Sequence, residues 1–410
     1  MDKQFLDFIY LYAVAVNGSV DCPYNKPDYE KIIAFASNQG VLSVVMPLLK
    51  KYQDIAKNDS FGALYNEYLV AAVNNEVKTQ KIMGIVKKIN DSGIKCCLLK
   101  GSSLAVLYKN PETRISGDID ILIDEKDEIK ALSILEKEGF TINHRTQASN
   151  HSVCVHEQLG CIELHVKLYY DFMEDIWFDN IVGIEEQYLE NDGIYTLGYT
   201  DGYLYVLLHA IKHFISGGLS VRHFSDVLLY AEKYADKIDF DRTNKIIKRL
   251  KYDRFEEFIY FVGDKYFDIR NIKAFRTFSE ETEEEIFGDM LKGGIFGKNE
   301  KERARFFEIY NERRFNVFKN EGFGKYMTSW RRDNAKKVIS FSKHNIVKRY
   351  PYAAKGLFYY FLALFAHMVY LVKTAFKRRK VVKDVISYRA PEVNDNAQKR
   401  LELLEKMNMI

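Results

Sequence analysis

Asp118 and Asp120 stand two residues apart in the run Asp-Ile-Asp-Ile-Leu-Ile-Asp, which otherwise reads as a buried strand. Residues two apart on a strand share a face, so the two carboxylates project together while Ile119, Ile121 and Ile123 point the other way, toward a core. Two carboxylates on one face repel each other and resist burial without a cation. A hard divalent cation with a taste for oxygen ligands resolves this, so Mg2+ is the expected ligand, with Mn2+ able to replace it. Asp124 has the same parity but lies at the strand end, where it suits the cap of the next helix. A third carboxylate follows in Cys-Ile-Glu-Leu-His-Val-Lys-Leu, where Ile162, Leu164 and Val166 alternate with Glu163, His165 and Lys167. A strand placed beside the first would bring Glu163 to Asp118 and Asp120. Three carboxylates can hold two Mg2+ ions, which bridge phosphates, stabilise a leaving pyrophosphate and lower the pKa of an attacking hydroxyl. In phosphoryl-type transfer, positioning and charge neutralisation supply most of the catalysis.

A phosphate also needs donors. Lys100-Gly101-Ser102 sits where an apolar run gives way to a helix start. Gly101 allows close backbone approach, and Ser102 offers a hydroxyl and an N–H at a helix N-terminus, which attracts anions. Lys100 and Arg114 are cations nearby in sequence, and Arg114 suits a bidentate grip on phosphate. Further on, His209, His213, Arg222 and Asp226 lie at helical spacings around a Ser-Gly-Gly-Leu-Ser turn. Two readings stand there: a buried Arg222–Asp226 pair tying two helices together, or Arg222 and His213 turned toward a nucleotide. His165 suits either a phosphate contact or a structural hydrogen bond. Cys154, His156, Cys161 and His165 do not follow a standard zinc spacing, and strand alternation explains their order.

The order Gly-Ser, then Asp-x-Asp on a strand, then a later strand carboxylate resembles the nucleotidyltransferase superfamily that includes DNA polymerase β. The stretch from Leu98 to Ile123 looks more narrowly like a bacterial group of largely uncharacterised nucleotidyltransferases. Their pattern is a lysine-glycine pair, an apolar helix ending in a tyrosine, a proline, an arginine and Asp-Ile-Asp. The later run from His209 to Tyr230 also resembles that group, with its histidine-rich helix followed by an arginine and an aspartate. The similarity covers roughly residues 94–236. It implies an α+β, polymerase β-like core that moves a nucleoside monophosphate from a nucleoside triphosphate (NTP) to a hydroxyl on a small molecule, sugar, protein or RNA end. It further implies Asp118, Asp120 and Glu163 as metal ligands, with Lys100, Gly101, Ser102, Arg114, His165, His213 and Arg222 toward the nucleotide. Analogy alone adds a link to surface-polysaccharide metabolism. One departure concerns Glu163: the family's third carboxylate is often an aspartate before Leu-His, and glutamate reaches further. That departure keeps a non-catalytic nucleotide-binding module in view.

The elements that must position these residues follow from periodicity. Residues 1–92 read as a helical N-terminal region, beginning with an amphipathic helix rather than a signal peptide. Residues 93–199 read as the α/β core, with strands at Ile94–Lys100, Asp118–Asp124, His151–Gln158 and Cys161–Tyr170. Residues 200–340 read as a helical domain and 341–410 as a C-terminal helical segment. The acidic run Ser279–Phe287 suits the first turn of a helix. The Gly-rich stretch Leu291–Lys301 follows no strand, so it makes a weak phosphate cradle. Residues 353–376 are apolar enough for a buried helix, an interfacial one or a span, with basic residues on both flanks. A membrane-associated assembly factor is therefore a third class. A net charge of +3 over 410 residues carries no global signal for nucleic acid. Five cysteines, two adjacent in an apolar run, fit a reducing cytoplasm, against the inner face of a membrane if 353–376 docks there.

Overall fold

The computed structural model describes residues 3–18, 28–52, 59–145, 151–168, 189–191, 194–216, 218–270, 272–293, 350, 352–353, 356, 358–367 and 402–409. Contacts gather the chain into two compact units: Met1–Arg303 with Leu403–Ile410, and Ala304–Glu402.

The first unit opens with four helices, α1 (Lys3–Asn17), α2 (Tyr29–Asn38), α3 (Leu42–Leu49) and α4 (Asp59–Asp91). The apolar recurrence over Lys31–Tyr52 is split between α2 and α3, because Gly40 takes a φ of 66°, a conformation open to glycine at little cost. α1 buries Phe5, Phe8, Ile9, Tyr12 and Val16. Each such side chain contributes about 1.5–3 kcal/mol when fully buried. Phe5 meets Phe35 of α2 and also Phe287, far along the chain, while Tyr12 stands edge-on to Phe267. The N-terminal helices thus share a core with helices that follow the sheet.

The sheet is mixed, and the fold is α+β. Its strands are β1 (Cys97–Leu98), β2 (Asp118–Leu122), β3 (Thr141–Asn143), β4 (His151–His156), β5 (Gly160–His165), β6 (Leu189–Asn191) and β7 (Ile194–Thr196). Their order is β3-β4-β5-β2-β1-β7-β6. β2 runs parallel to β5 and antiparallel to β1, and β1 runs parallel to β7. Between β1 and β2 lies α5 (Ser102–Ala105), a single turn; α6 (Glu128–Lys137) follows β2. One sheet face packs Ile119, Ile121, Ile123, Ile162 and Leu164 against Ile82, Ile85 and Ile89 of α4 and Leu132 and Leu135 of α6. The alternation of β2 and β5 leaves the other face to Asp118, Asp120 and Glu163. Asp124 stands at the entry to the turn before α6, but its side chain makes no capping bond there and instead pairs with Lys126 at 2.9 Å.

Beyond the sheet come α7 (Tyr199–Ser216), α8 (Val221–Lys233), α9 (Phe240–Leu250), α10 (Asp253–Tyr266) and α11 (Glu280–Gly293). Lys251, left-handed at φ 60°, separates α9 from α10. α11 begins at Glu280 with three acidic residues in its first turn, as the acidic run suggested. The four described cysteines are free thiols.

In the second unit, residues 358–367 are helical. Phe358, Phe361 and Phe365 are 72%, 66% and 63% exposed, with Leu362 exposed beside them and Ala363 and His367 buried. Among the described residues no helix is long and apolar enough to cross a membrane. Most of the Gly-rich stretch, the 340/341 boundary and the remainder of 353–376 lie outside the described residues.

Candidate functional site

The parallel pairing of β2 with β5 sets Asp120 opposite Glu163 and Asp118 opposite Cys161. Carboxylate oxygens of Asp118, Asp120 and Glu163 all come within 4.8 Å of one another. Two basic side chains attend them. Lys100 Nζ, at the end of β1, is 3.3 Å from Asp120 Oδ2, and His165 Nε2 is 3.1 Å from Asp120 Oδ1 and 3.4 Å from Glu163 Oε2. Burial alone would raise the Asp120 pKa, but Lys100 and His165 outweigh it and hold the carboxyl at about 2. The hydrogen bond to His165 likewise lowers Glu163 against its burial. Burial disfavours charged His165, and the two carboxylates overcome it, so its pKa is raised. Asp120 Oδ2 is buried and faces Lys100 Nζ. Three hard oxygen donors drawn together on one sheet face fit Mg2+ or Mn2+. His165 is itself buried and committed through Nε2 to the carboxylates, so it orients them and is not turned to a phosphate.

Sequence periodicity gave no sign of two further lysines here. Lys78 of α4 donates to the Gly117 carbonyl at 3.2 Å; burial lowers its pKa, with Asp118 acting against that. Lys212 of α7 is lowered by burial and then by Lys100, while Glu163, Asp120 and Asp118 act in the opposite sense. Each looks in sequence like an ordinary polar position on a helix.

The Lys100-Gly101-Ser102 turn is built differently from expectation. α5 spans only Ser102–Ala105, and one turn does not sum the peptide dipoles that make a long helix attract anions. The specific feature is Gly101, at φ 80° and ψ −110°, a region closed to side chains. Its carbonyl accepts from the N–H groups of Leu104 and Ala105, each at 3.1 Å, and from Arg114 Nη1 at 2.9 Å. Ser102 opens the turn, and its side chain lies outside the described atoms. Gly101→Val should destabilise the protein by about 1–3 kcal/mol and weaken NTP binding, read by chemical denaturation and by titration with Mg-NTP. Wild-type affinity in that variant would remove the turn from the binding site.

Arg114 corrects the expected phosphate grip. It is buried, and four of its N–H groups are engaged: Nε and Nη2 on the Asp226 carboxylate at 2.9 and 2.7 Å, Nη1 on Gly101 O and on Ser116 Oγ at 3.1 Å. The planar fork is therefore spent inside the protein. Tyr108 donates to Asp226 Oδ1 at 2.8 Å, and its hydroxyl meets Ser225 Oγ, which also meets the Tyr12 hydroxyl. Asp226 thus belongs to Arg114, not to Arg222. Arg222 donates to the Ile115 carbonyl at 3.1 Å and lines a cleft with Lys100, Gly101, Asp118, His209 and His223.

His209 and His213 of α7 and His223 of α8 form one cluster, with ring centroids 4.3–5.7 Å apart. His223 closes a capping box: the Ser220 N–H donates to its Nδ1 at 2.9 Å. Burial, reinforced by Arg222, pushes His223 down to about 3, and burial lowers His209 and His213 strongly. An unfolded histidine titrates near 6.5. As pH falls through 6.5 toward 3, the unfolded chain binds protons that the fold refuses, so stability falls, by up to ~1.4 kcal/mol per pH unit for each histidine. His165, whose pKa is raised, acts oppositely: its contribution is lost as pH rises. The denaturation midpoint should therefore be lower at pH 5.5 than at 7.5. His223→Gln, which keeps a capping acceptor, should reduce that difference, and an undiminished difference would show that His223 carries none of it.

The model of the family described as uncharacterised nucleotidyltransferase matches residues 25–268, more than half of the chain. No curated protein matches the chain. A solved structure, the "Crystal structure of JHP933 from Helicobacter pylori", is 14% identical and is matched over 59% of this chain and 98% of its own, with a TM-score of 0.30. A likeness that low bears on neither fold nor function.

Proposed function

The chain belongs to the uncharacterised nucleotidyltransferase family, and from that premise we propose that it moves a nucleoside monophosphate from an NTP to a hydroxyl acceptor. The observation that carries this reading is the convergence of Asp118, Asp120 and Glu163 on one sheet face beside a cleft lined by Lys100 and Arg222. The acceptor oxygen attacks the α-phosphorus, the bond to the bridging oxygen breaks, and pyrophosphate leaves. Asp118, Asp120 and Glu163 would hold Mg2+, or Mn2+, which when bound neutralises phosphate charge and acidifies the acceptor hydroxyl. His165 orients Asp120 and Glu163. Glu163, half-buried at the edge of the triad, receives the acceptor proton. Lys100, the Gly101 turn and Arg222 line the same cleft and would face the phosphates. Small molecules, sugars, protein side chains and RNA ends all present such a hydroxyl, and analogy favours surface-polysaccharide metabolism.

The test is a screen of the four NTPs with Mg2+, following pyrophosphate release and label transfer onto the protein and onto cell extract. Turnover with one of them is the expected result. A specific observation favours a second reading: Lys100 and His165 already pair with Asp120 and Glu163, which suits a module that binds nucleotide without turnover. Mg-NTP binding without pyrophosphate release from any acceptor would replace the first reading by the second.

A cytoplasmic protein that touches an anionic bilayer through 353–376 completes the proposal. It is supported by the exposed Phe358, Phe361, Leu362 and Phe365 and by the basic run Lys377–Lys380 in the sequence. The full chain should co-sediment with vesicles containing phosphatidylglycerol and not with neutral ones, and Phe361→Glu with Phe365→Glu should abolish this. Equal sedimentation of the double variant would rule out that helix as the contact.

A further inference from the structure

Three histidines packed on one cleft wall raise the question of what they bind. Nitrogen atoms of His209, His213 and His223 lie within 4.8 Å of one another, a spacing that would suit a zinc-like ion. Two observations oppose that ligand. The Ser220 N–H points at His223 Nδ1, so the proton of the neutral ring sits on Nε2 and that nitrogen is a donor without a lone pair for a metal. The charged groups acting most strongly on the cluster are also cations: Lys100, Lys212, Arg222 and, for His223, Arg114. Of the nearby carboxylates, Asp226 is committed to Arg114 and Asp118 belongs to the metal triad. A cation entering this place meets repulsion from Lys100, Lys212, Arg222 and Arg114. An anion meets Lys100, Arg222 and a fixed N–H donor at His223.

We propose that Lys100, His209, His223 and Arg222 form an oxyanion site for a diphosphate group, and that the histidine cluster takes up a proton from solvent as that group binds. The diphosphate group is either the terminal part of an NTP or free pyrophosphate. Only the identification with NTP rests on the reading of the cleft as a nucleotidyl-transfer site. The proton follows from the change of field. Without an anion, burial and four neighbouring cations keep the imidazoles neutral. A group carrying two or more negative charges reverses the local potential and favours imidazolium. A charged donor to phosphate is also stronger than a neutral one.

The full-length protein should be titrated calorimetrically with sodium pyrophosphate, without metal, in two buffers of different ionisation enthalpy at the same pH. Buffer-dependent heats showing net proton uptake are expected, with affinity falling by up to about tenfold per pH unit as pH rises from the histidines' lowered pKa in the free protein to their raised one in the complex. His209→Gln and His223→Gln should each weaken binding about ten- to a hundredfold and reduce the uptake. Mg-NTP titrations with the same uptake would identify the terminal phosphates as occupant; uptake with pyrophosphate alone would identify the leaving group. Buffer-independent heats with wild-type protein overturn the proposal without need of any variant. So does tight Zn2+ binding that disappears in His209→Gln, which would make the cluster a metal site. Proton-coupled pyrophosphate binding in a protein that transfers no nucleotide would support this site while removing the reaction.

Discussion

Asp118→Asn should lower nucleotidyl transfer by about a thousandfold or more while leaving stability close to wild type. Metal-ion catalysis supplies several kcal/mol of transition-state stabilisation, and each 1.36 kcal/mol is tenfold in rate. An amide keeps the shape of the carboxyl but not the charge that balances a cation. Asp118 is half-exposed at the start of β2, so its loss leaves little buried charge behind. Asp120 is different. It is 1% exposed and paired with both Lys100 and His165, so Asp120→Asn should abolish transfer and also cost about 2–3 kcal/mol, the scale of a carboxyl held near 2 in the fold and near 4 when unfolded. Because that pKa is depressed, this stability is present above about pH 4 and lost as pH falls toward 2. The pair of outcomes is diagnostic: Mg2+ should raise the thermal midpoint of wild type in the presence of NTP but not that of Asp118→Asn. An Asp118→Asn protein that keeps its rate would refute the metal triad.

The second large effect is structural. Asp226→Asn should destabilise the protein by roughly 3–5 kcal/mol, because it leaves the Arg114 guanidinium buried without its counter-charge. Arg114 and Asp226 are each 6% exposed, so solvent cannot repair the loss. Arg114→Lys should be nearly as harmful, since lysine cannot bridge Asp226 and the Gly101 carbonyl at once. Replacing both partners by apolar residues should recover more than half of the lost stability, as removal of a whole buried pair commonly does. The apolar double variant should still bind nucleotide poorly, because Gly101 O then keeps only the Leu104 and Ala105 N–H groups and loses its tie to Arg114. Urea denaturation of the four proteins reads these three changes in stability. A midpoint for Asp226→Asn within experimental error of wild type would mean that the pair contributes nothing.

The acidic triad was legible because strand alternation is a local code. Ile119 and Ile121 going inward force Asp118 and Asp120 outward, and one register choice between β2 and β5 then decides the place of Glu163. Partner choice among buried charges is not local. Arg222 and Asp226 sit four apart on one helix, which made them the natural pair, yet Asp226 reaches across 112 residues to Arg114. Only the packing of α8 over the Gly101 turn selects that partner. β6 and β7 escaped notice for another reason: Leu-Glu-Asn and Ile-Tyr-Thr are three-residue strands, too short to display a period. The helix start read at Ser102 is there, but α5 stops at Ala105 after one turn.

Tyr12 and Ser225 share a hydrogen bond across 213 residues. A ribosome adding about 5–20 residues per second needs on the order of 10–40 s to make the second partner after the first. Throughout that interval α1 is outside the exit tunnel with Phe5, Phe8 and Tyr12 lacking the late helices that cover them. The nascent chain therefore displays an aromatic-rich helix first and completes the surroundings of that helix last. A fusion partner that shields the first helix should raise soluble expression.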